Sequence, residues 1–337
     1  MASIIDVTRA GSAVIRRPEA GSAVGAVFVF AFFGLFGMSA GFWSTDGYVS
    51  WLAVAAELGI IALPIGMLMI AGEFDLSIGS VLAVSSMTTA ISVTQWGLPL
   101  IVGAALSLAI GALVGVVNGF LVVRTGLPSF IVTLVMLFSV SGGSLALSRA
   151  VTGTTSVSMV SSGFAHDLFA GHVGPFNVSL LWWLVAVAGA QLVLQGTRLG
   201  NWIFVIGGDA DTAVLNGVAI GKVKLGLYVY SGLSAAFVGI IQAVEFGNAD
   251  VTRGQNFVFQ AIVASVVGGC LLSGGYGSMI GVMFGAITYS IVSVGIFYTG
   301  WNPDLVQLFV GILLFIAVIG NNFVRRLAMA KTAGGQQ

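Results

Sequence analysis

Residues 51–71 read Trp-Leu-Ala-Val-Ala-Ala-Glu-Leu-Gly-Ile-Ile-Ala-Leu-Pro-Ile-Gly-Met-Leu-Met-Ile-Ala, an apolar run interrupted by one ionisable side chain, Glu57. At about 1.5 Å of rise per residue, such a run as a helix crosses the roughly 30 Å hydrocarbon core of a bilayer. It reads as a transmembrane helix, and composition extends that reading to the whole chain. Of 337 residues, 58% are hydrophobic and 7% are charged, against roughly 25% charged in soluble domains. A surface that apolar faces lipid. The 48 glycines suit helices packed closely in a bilayer.

The same length rule, worked outward, gives about ten spans: 24–42, 51–71, 77–95, 99–123, 128–148, 178–196, 225–246, 257–273, 277–299 and 304–323. The expected fold is all-α, a polytopic transmembrane helix bundle. Glycine-rich stretches near 72–79 and 268–277 leave nine or eleven spans open, because either can be broken or re-entrant. Arg16 and Arg17 before the first run resemble a signal peptide, but the run is too long for one and Met38-Ser39-Ala40 is a poor cleavage site. With the N-terminus in the cytoplasm, Arg9, Arg16, Arg17, Arg124, Arg198, Lys222, Lys224, Arg325, Arg326 and Lys331 fall inside, and Arg149 and Arg253 outside. That is the positive-inside bias, and it puts both termini in the cytoplasm. The chain then divides into an N-terminal tail 1–23, a membrane domain 24–323 and a C-terminal tail 324–337. Two long connections, 149–177 outside and 197–224 inside, are where soluble partners can dock.

An internal echo organises the membrane domain. Gly72-Glu73-Phe74-Asp75-Leu76-Ser77-Ile78-Gly79 and Gly247-Asn248-Ala249-Asp250-Val251-Thr252-Arg253-Gly254 share the pattern Gly-x-x-Asp-apolar-Ser/Thr-x-Gly, ahead of the third and eighth spans. Pro128 and Pro303 are separated by the same interval. An offset of five spans inverts the second copy, giving repeats of about 24–148 and 178–323, a transporter signature. Gly111, Gly115 and Gly119 in the fourth span, and Gly277, Gly281 and Gly285 in the ninth, place glycines on one helix face where backbones can approach. Asp75 and Asp250 stand where a carboxylate caps a helix start, or where it takes part in passage or gating.

Glu57 must find a partner, face a cavity or carry a proton; it either holds two helices together or meets substrate. Glu245, near the end of the seventh span, can reach the interface. Asn118, Gln191, Gln242 and Gln260 are further polar groups in or near spans, and Trp182, Trp183 and Trp301 read as interfacial anchors. Zero net charge gives no field for nucleic acid. No catalytic constellation and no metal-ligand spacing accompany Cys270, His166 or His172. Residues 217–223 miss a phosphate-binding loop by one residue between the glycines and by Val223, which offers no hydroxyl.

Four segments in order resemble the permeases of ribose-type (monosaccharide) ABC importers. Residues 71–83 are similar to their "GGxDLSVGSVLA" segment; Asn118-Gly119-Phe120-Leu121-Val122 with Pro128-Ser129-Phe130-Ile131-Val132-Thr133-Leu134 to "NGLLV…PPFIATL"; 207–218 to "GGNxEAARLSGI"; and 261–278 to "AIAAVVIGGTSLSGGRGS". The resemblance implies a permease in the bacterial inner membrane, paired with a second copy or a sibling. It implies cytoplasmic ATPase subunits that bind ATP and Mg, with no cofactor in this chain, and an extracytoplasmic sugar-binding protein that delivers substrate. It makes Gly207, Gly208, Asp209, Asp211, Ala213, Leu215, Asn216 and Gly217 the ATPase-coupling loop, and Gly72, Asp75, Ser77 and Gly79 part of a family motif. Val214 and Asn216 depart from the family's frequent Arg and Ser. The competing readings are a secondary transporter coupled to ions through Glu57 or Glu245, and a channel or scaffold.

Overall fold

A computed structural model describes residues 18–333. The described helices are α1 (Pro18–Phe36), α2 (Thr45–Ile70), α3 (Ile78–Thr94), α4 (Leu100–Thr125), α5 (Ser129–Thr152), α6 (Phe164–Ala170), α7 (Ser179–Gly196), α8 (Arg198–Gly208), α9 (Ala210–Leu215), α10 (Ile220–Glu245), α11 (Phe257–Val267), α12 (Met279–Thr299) and α13 (Leu305–Ala333). Short strands β1 (Ser156–Ser158) and β4 (Asn248–Asp250) pair antiparallel, Ser156 opposite Asp250. Strands β2 (His172–Val173) and β3 (Phe176–Asn177) pair likewise. The fold is an all-α, multi-pass bundle.

Among the described residues, seven helices are long and apolar enough to cross a membrane: α1, α2, α4, α5, α7, α10 and α12. They correspond to seven of the ten expected spans. At the third, eighth and tenth the helices are shorter: Ile78–Thr94, Phe257–Val267 and the apolar part of α13, Leu305–Gly320. For the third and eighth the glycine-rich flanks are the reason. Residues 72–77 and 251–256 are turns rather than helix, and α11 stops at Gly268 and Gly269, the latter at φ +92°. The first span sits earlier than expected, because α1 ends before Gly37 and a 3-10 turn, Met38–Ala40, leads to Gly41 at φ +89°. Likewise α2 starts six residues before Trp51, where the Ser44 hydroxyl accepts from Gly47 N–H at 3.1 Å and caps it. Residues 1–17 of the N-terminal tail and residues 334–337 lie outside the described residues, while α13 runs on through 324–333.

The bundle is built around α2 and α10. Every residue from Ala55 to Ile70 is buried, and α10 buries most of its length against α4, α3 and α2. Small residues allow the approach. A Cβ on Gly111 would lie 2.5 Å from the Gly232 carbonyl oxygen, and Gly115 and Gly119 sit against Tyr228 and Leu225 of α10. On the other side Gly281 and Gly285 of α12 lie against the carbonyls of Gly268 and Ala264, whereas Gly277 belongs to the turn before α12 and touches Cys270 and Ile70. Such backbone contact is how membrane helices associate where lipid offers no hydrophobic drive. One end of the bundle carries both strand pairs and α6. The other carries α8 and α9.

Candidate functional site

The first half of the echoed motif is an unwound segment folded back into the bundle. Gly72, at φ +79°, turns the chain out of α2. Residues 73–77 then run along α10. Glu73 ion-pairs with Lys224, the one salt bridge among the described residues. Tyr228 Oη donates to the Phe74 carbonyl (3.2 Å) and to Glu73 Oε2 (3.3 Å), and Phe74 N–H donates to Ser129 Oγ (3.0 Å) at the start of α5. Asp75, 2% exposed, accepts from Ser77 N–H (2.9 Å), Ser77 Oγ (2.6 Å) and Ser231 Oγ (2.8 Å). Asn118 of α4 donates to Ser77 Oγ at 2.8 Å. Irregular backbone at membrane depth is tolerated only where protein satisfies it, and here side chains from α4, α5 and α10 do so. Asp75 does not cap α3 directly, as a helix-cap reading would have it; it closes a turn two residues long onto Ser77. Lys224, Tyr228 and Ser231 escaped the sequence reading as a set. Their spacing of i, i+4 and i+7 puts them on one helix face, which was the available signal.

The second half has the same local geometry in a different setting. Gly247 is at φ +61°, and Asp250 Oδ1 accepts from Thr252 N–H (2.8 Å) and Oγ1 (2.5 Å), but on the exposed side. Arg253 folds back onto the Asn248 side chain and carbonyl (2.7 Å), the Gln242 carbonyl (3.2 Å) and the Phe246 ring (5.0 Å to its centre). The glycines that close the two motifs meet. A Cβ on Gly79 would lie 2.5 Å from Gly254 O, and one on Gly254 2.7 Å from Gly79 O. The contact is reciprocal.

Glu57, 6% exposed, accepts from Gln242 Nε2 at 2.6 Å. Glu245 does not simply reach for an interface: it accepts from Asn177 Nδ2 at 2.6 Å and lies within hydrogen-bonding reach of Glu57. The Gln242–Glu57 and Asn177–Glu245 bonds tie α2, α10 and β3 together. Gln191 Oε1 accepts from Met279 N–H (3.0 Å) and Ile280 N–H (3.3 Å), covering the first turn of α12. Asn118, Gln191 and Gln242 are thus structural; Gln260 instead lines a cavity. Trp183 is no interfacial anchor. It is 2% exposed, its indole laid over Gly59 of α2, where any Cβ would collide with it. Trp182 is half-buried and donates to the Leu168 carbonyl at 2.9 Å.

The loop expected at 197–224 is two helices at an angle. Thr197 caps α8, accepting from Gly200 N–H at 3.3 Å, and Asp209 caps α9, accepting from Asp211 N–H (3.0 Å), Thr212 N–H (3.2 Å) and Thr212 Oγ1 (2.6 Å). The Thr212 hydroxyl and N–H, then Asp211 N–H, hold the Asp209 carboxyl below its ordinary range. Gly207 seats the pair on the bundle, packed on the Ile70 carbonyl and Gly275 N–H, with Gly274 against its own carbonyl. Val214 (62%) and Leu215 (87%) stand exposed beyond it. Ala213 is buried beneath, while Asp211, Asn216 and Gly217 are exposed.

A multi-pass membrane protein with unwound segments folded into its core, and a capped two-helix element with a bare apolar tip at one end, has the form of a transport permease. The chain belongs to the family described as branched-chain amino acid transport system / permease component, whose profile matches residues 47–318, and it is accordingly a permease of the ABC importer class. Similar proteins include the fructose import permease protein of Rhizobium meliloti, 30% identical over 82% of this chain and 78% of the relative. The ribose import permease protein of Escherichia coli (strain K12) is 29% identical over 85% and 88%. The autoinducer 2 import system permease protein of Photorhabdus luminescens is 30% identical over 79% and 80%. No solved structure matches the chain.

Proposed function

We propose that this permease forms the membrane path for a monosaccharide, handed to it by an extracytoplasmic binding protein and driven by ATPase subunits that carry the ATP and Mg. The observation that carries the reading is the α8–α9 element. Its seat, Gly207, touches the end of α2 and the turn at Gly274 and Gly275 before α12, so a push on α9 bears on both halves of the bundle. Exposed Val214 and Leu215 offer the apolar tip on which an ATPase groove would close. The names of the fructose and ribose relatives support a sugar as cargo.

In this reading the α9 end is cytoplasmic and the strand end external, as the distribution of Lys and Arg requires. The short helices α3 and α11, with the apolar part of α13, complete ten spans, α3 starting at depth because the segment before it folds inward. The two halves are inverted repeats. Supporting this, α2 and α10 are each 26 residues long and start 175 residues apart (220 − 45), the separation of Asp75 and Asp250 (250 − 75). The reciprocal contact of Gly79 and Gly254 is what a two-fold axis in the membrane plane would produce. A second permease, identical or sibling, completes the assembly. Glu57, bonded by Gln242, and Glu245, bonded by Asn177, are structural ties rather than an ion-coupling site.

Cysteine cross-linking tests the coupling element. Leu215→Cys should cross-link to the ATPase in native membranes, and Leu215→Glu should abolish ATPase co-purification while leaving the permease folded. Undiminished co-purification with Leu215→Glu would remove α9 from the interface.

A further inference from the structure

Gln260 differs from the other intramembrane amides in facing an open space. A cavity of about 670 Å³ lies between α11, α12 and the start of α13. Pro303 and Asp304, just ahead of α13, are among its lining residues. Tyr289, also in the lining, stands ten residues before the last residue of α12, Thr299. At about 1.5 Å per residue that is about 15 Å down, roughly half the hydrocarbon core. The cleft therefore runs from the strand end to about mid-membrane.

Polar side chains interrupt an otherwise apolar lining. Gln260 and Asn256 come from α11 and the residue before it, Ser293 and Tyr289 from α12, and Gln307 from the first turn of α13. The Gln260 amide and the Tyr289 hydroxyl line the same cavity. Carboxamides and hydroxyls turned toward hydrocarbon are costly, so a membrane-depth cleft of this chemistry holds water or a polar ligand. Charge narrows the ligand. The lining holds no Lys, Arg or His, and its carboxylate, Asp304, sits against the positive end of α13. A phosphate or an amino-acid carboxylate would find no cation there, whereas carboxamides offer paired donors and acceptors to neutral hydroxyls. Phe259, 71% exposed on the same wall, adds an aromatic face for the C–H side of a sugar ring.

We propose that the cleft between α11, α12 and α13 is an entry subsite for a neutral, hydroxyl-rich ligand, with Gln260 and Gln307 as its specificity-determining residues. This rests on the permease reading above and deepens it. It sets the chain apart from transport of zwitterionic or phosphorylated cargo, although the family description names branched-chain amino acids.

The test is cysteine accessibility in the full-length chain in lipid nanodiscs. Gln260→Cys, Ser293→Cys and Gln307→Cys would be compared with the outward-facing control Leu113→Cys, 62% exposed midway along α4. The native Cys270 is buried and serves as background. A membrane-impermeant thiol reagent should modify the cleft positions at least about tenfold faster than residue 113, because thiolate formation needs water. Millimolar D-ribose or D-fructose should slow that reaction, and L-leucine and ribose 5-phosphate should not. Labelling as slow as at residue 113 overturns the cleft as an aqueous site. Labelling unaffected by either sugar, or slowed equally by leucine or the sugar phosphate, overturns the ligand class. In parallel, Gln260→Leu should lower sugar uptake by the complete transporter about five- to tenfold, the worth of one or two hydrogen bonds. ATP-driven sugar uptake by wild type with an unprotected cleft sinks this inference alone. Absence of ATP-driven uptake of any substrate sinks the permease reading itself.

Discussion

Replacing Gly207 by Ala should unseat the α8–α9 element. A Cβ there would overlap the Ile70 carbonyl oxygen and lie 2.7 Å from Gly275 N and 2.8 Å from the Ile70 carbonyl carbon. These are backbone atoms of two separate segments, and no rotamer change can clear them. Gly275 N–H also donates to Ile70 O at 2.8 Å, so moving either segment strains that bond. Overpacking costs about 1–3 kcal/mol, and losing a buried backbone hydrogen bond adds about 1 kcal/mol or more. The expected sum is about 2–4 kcal/mol, concentrated where α2, α8 and the turn before α12 join. The neighbouring Gly208→Ala supplies the control, because its Cβ would meet nothing within 4 Å. The assay is thermal unfolding of the purified chain followed by tryptophan fluorescence, with ATP-driven uptake measured on the same variants. Gly207→Ala should lower the midpoint by at least about 5 °C and cut uptake, while Gly208→Ala does neither. Equal behaviour of the two variants would refute the seat.

Asp75→Ala should destabilise strongly, about 2–4 kcal/mol, because it orphans buried donors on Ser77 and Ser231. Asp250→Ala, whose bonds to Thr252 are exposed, should cost under about 1 kcal/mol by the same assay. The Asp209 cap should depend on pH. Its carboxyl titrates below its unfolded value, so the cap's contribution is fully present above about pH 4 and is lost as pH falls through the lower folded value. Hydrogen exchange of the 211–216 amides should therefore quicken only in strong acid for wild type, and Asp209→Asn should show no such transition. Glu57→Gln should leave uptake ATP-driven and indifferent to a proton gradient. Glu57→Ala should lower thermal stability by about 1–3 kcal/mol by orphaning the Gln242 amide.

What was legible in the sequence followed from one-dimensional patterns. Long apolar runs marked α2, α4 and α10, whose burial or lipid contact needs only length and hydropathy. The repeated Gly-x-x-Asp motif pointed to residues 72–79 and 247–254, and in both a glycine at positive φ precedes an Asp that accepts from the residue two further on. Three-dimensional partnership was not legible. A capping reading of Asp75 could not know that α10 would present Ser231 to it, because the contact joins residues 156 apart. Trp183 looked like an anchor because tryptophan prefers interfaces, but Gly59 opens a slot on α2 that holds the whole indole. Hydropathy windows also ran α11 through Gly268 and Gly269, since the scale does not register that a positive φ stops a helix there. The cleft at Gln260 depends on where α13 leaves α11 and α12, and no local pattern records that.

The most direct measurement is substrate uptake in reconstituted vesicles, by this chain alone and then with its ATPase and binding protein, with and without ATP. The account predicts uptake of a neutral monosaccharide only by the full set with ATP, abolished when residues 209–217 are disrupted. Uptake by the lone chain down a proton gradient would contradict it.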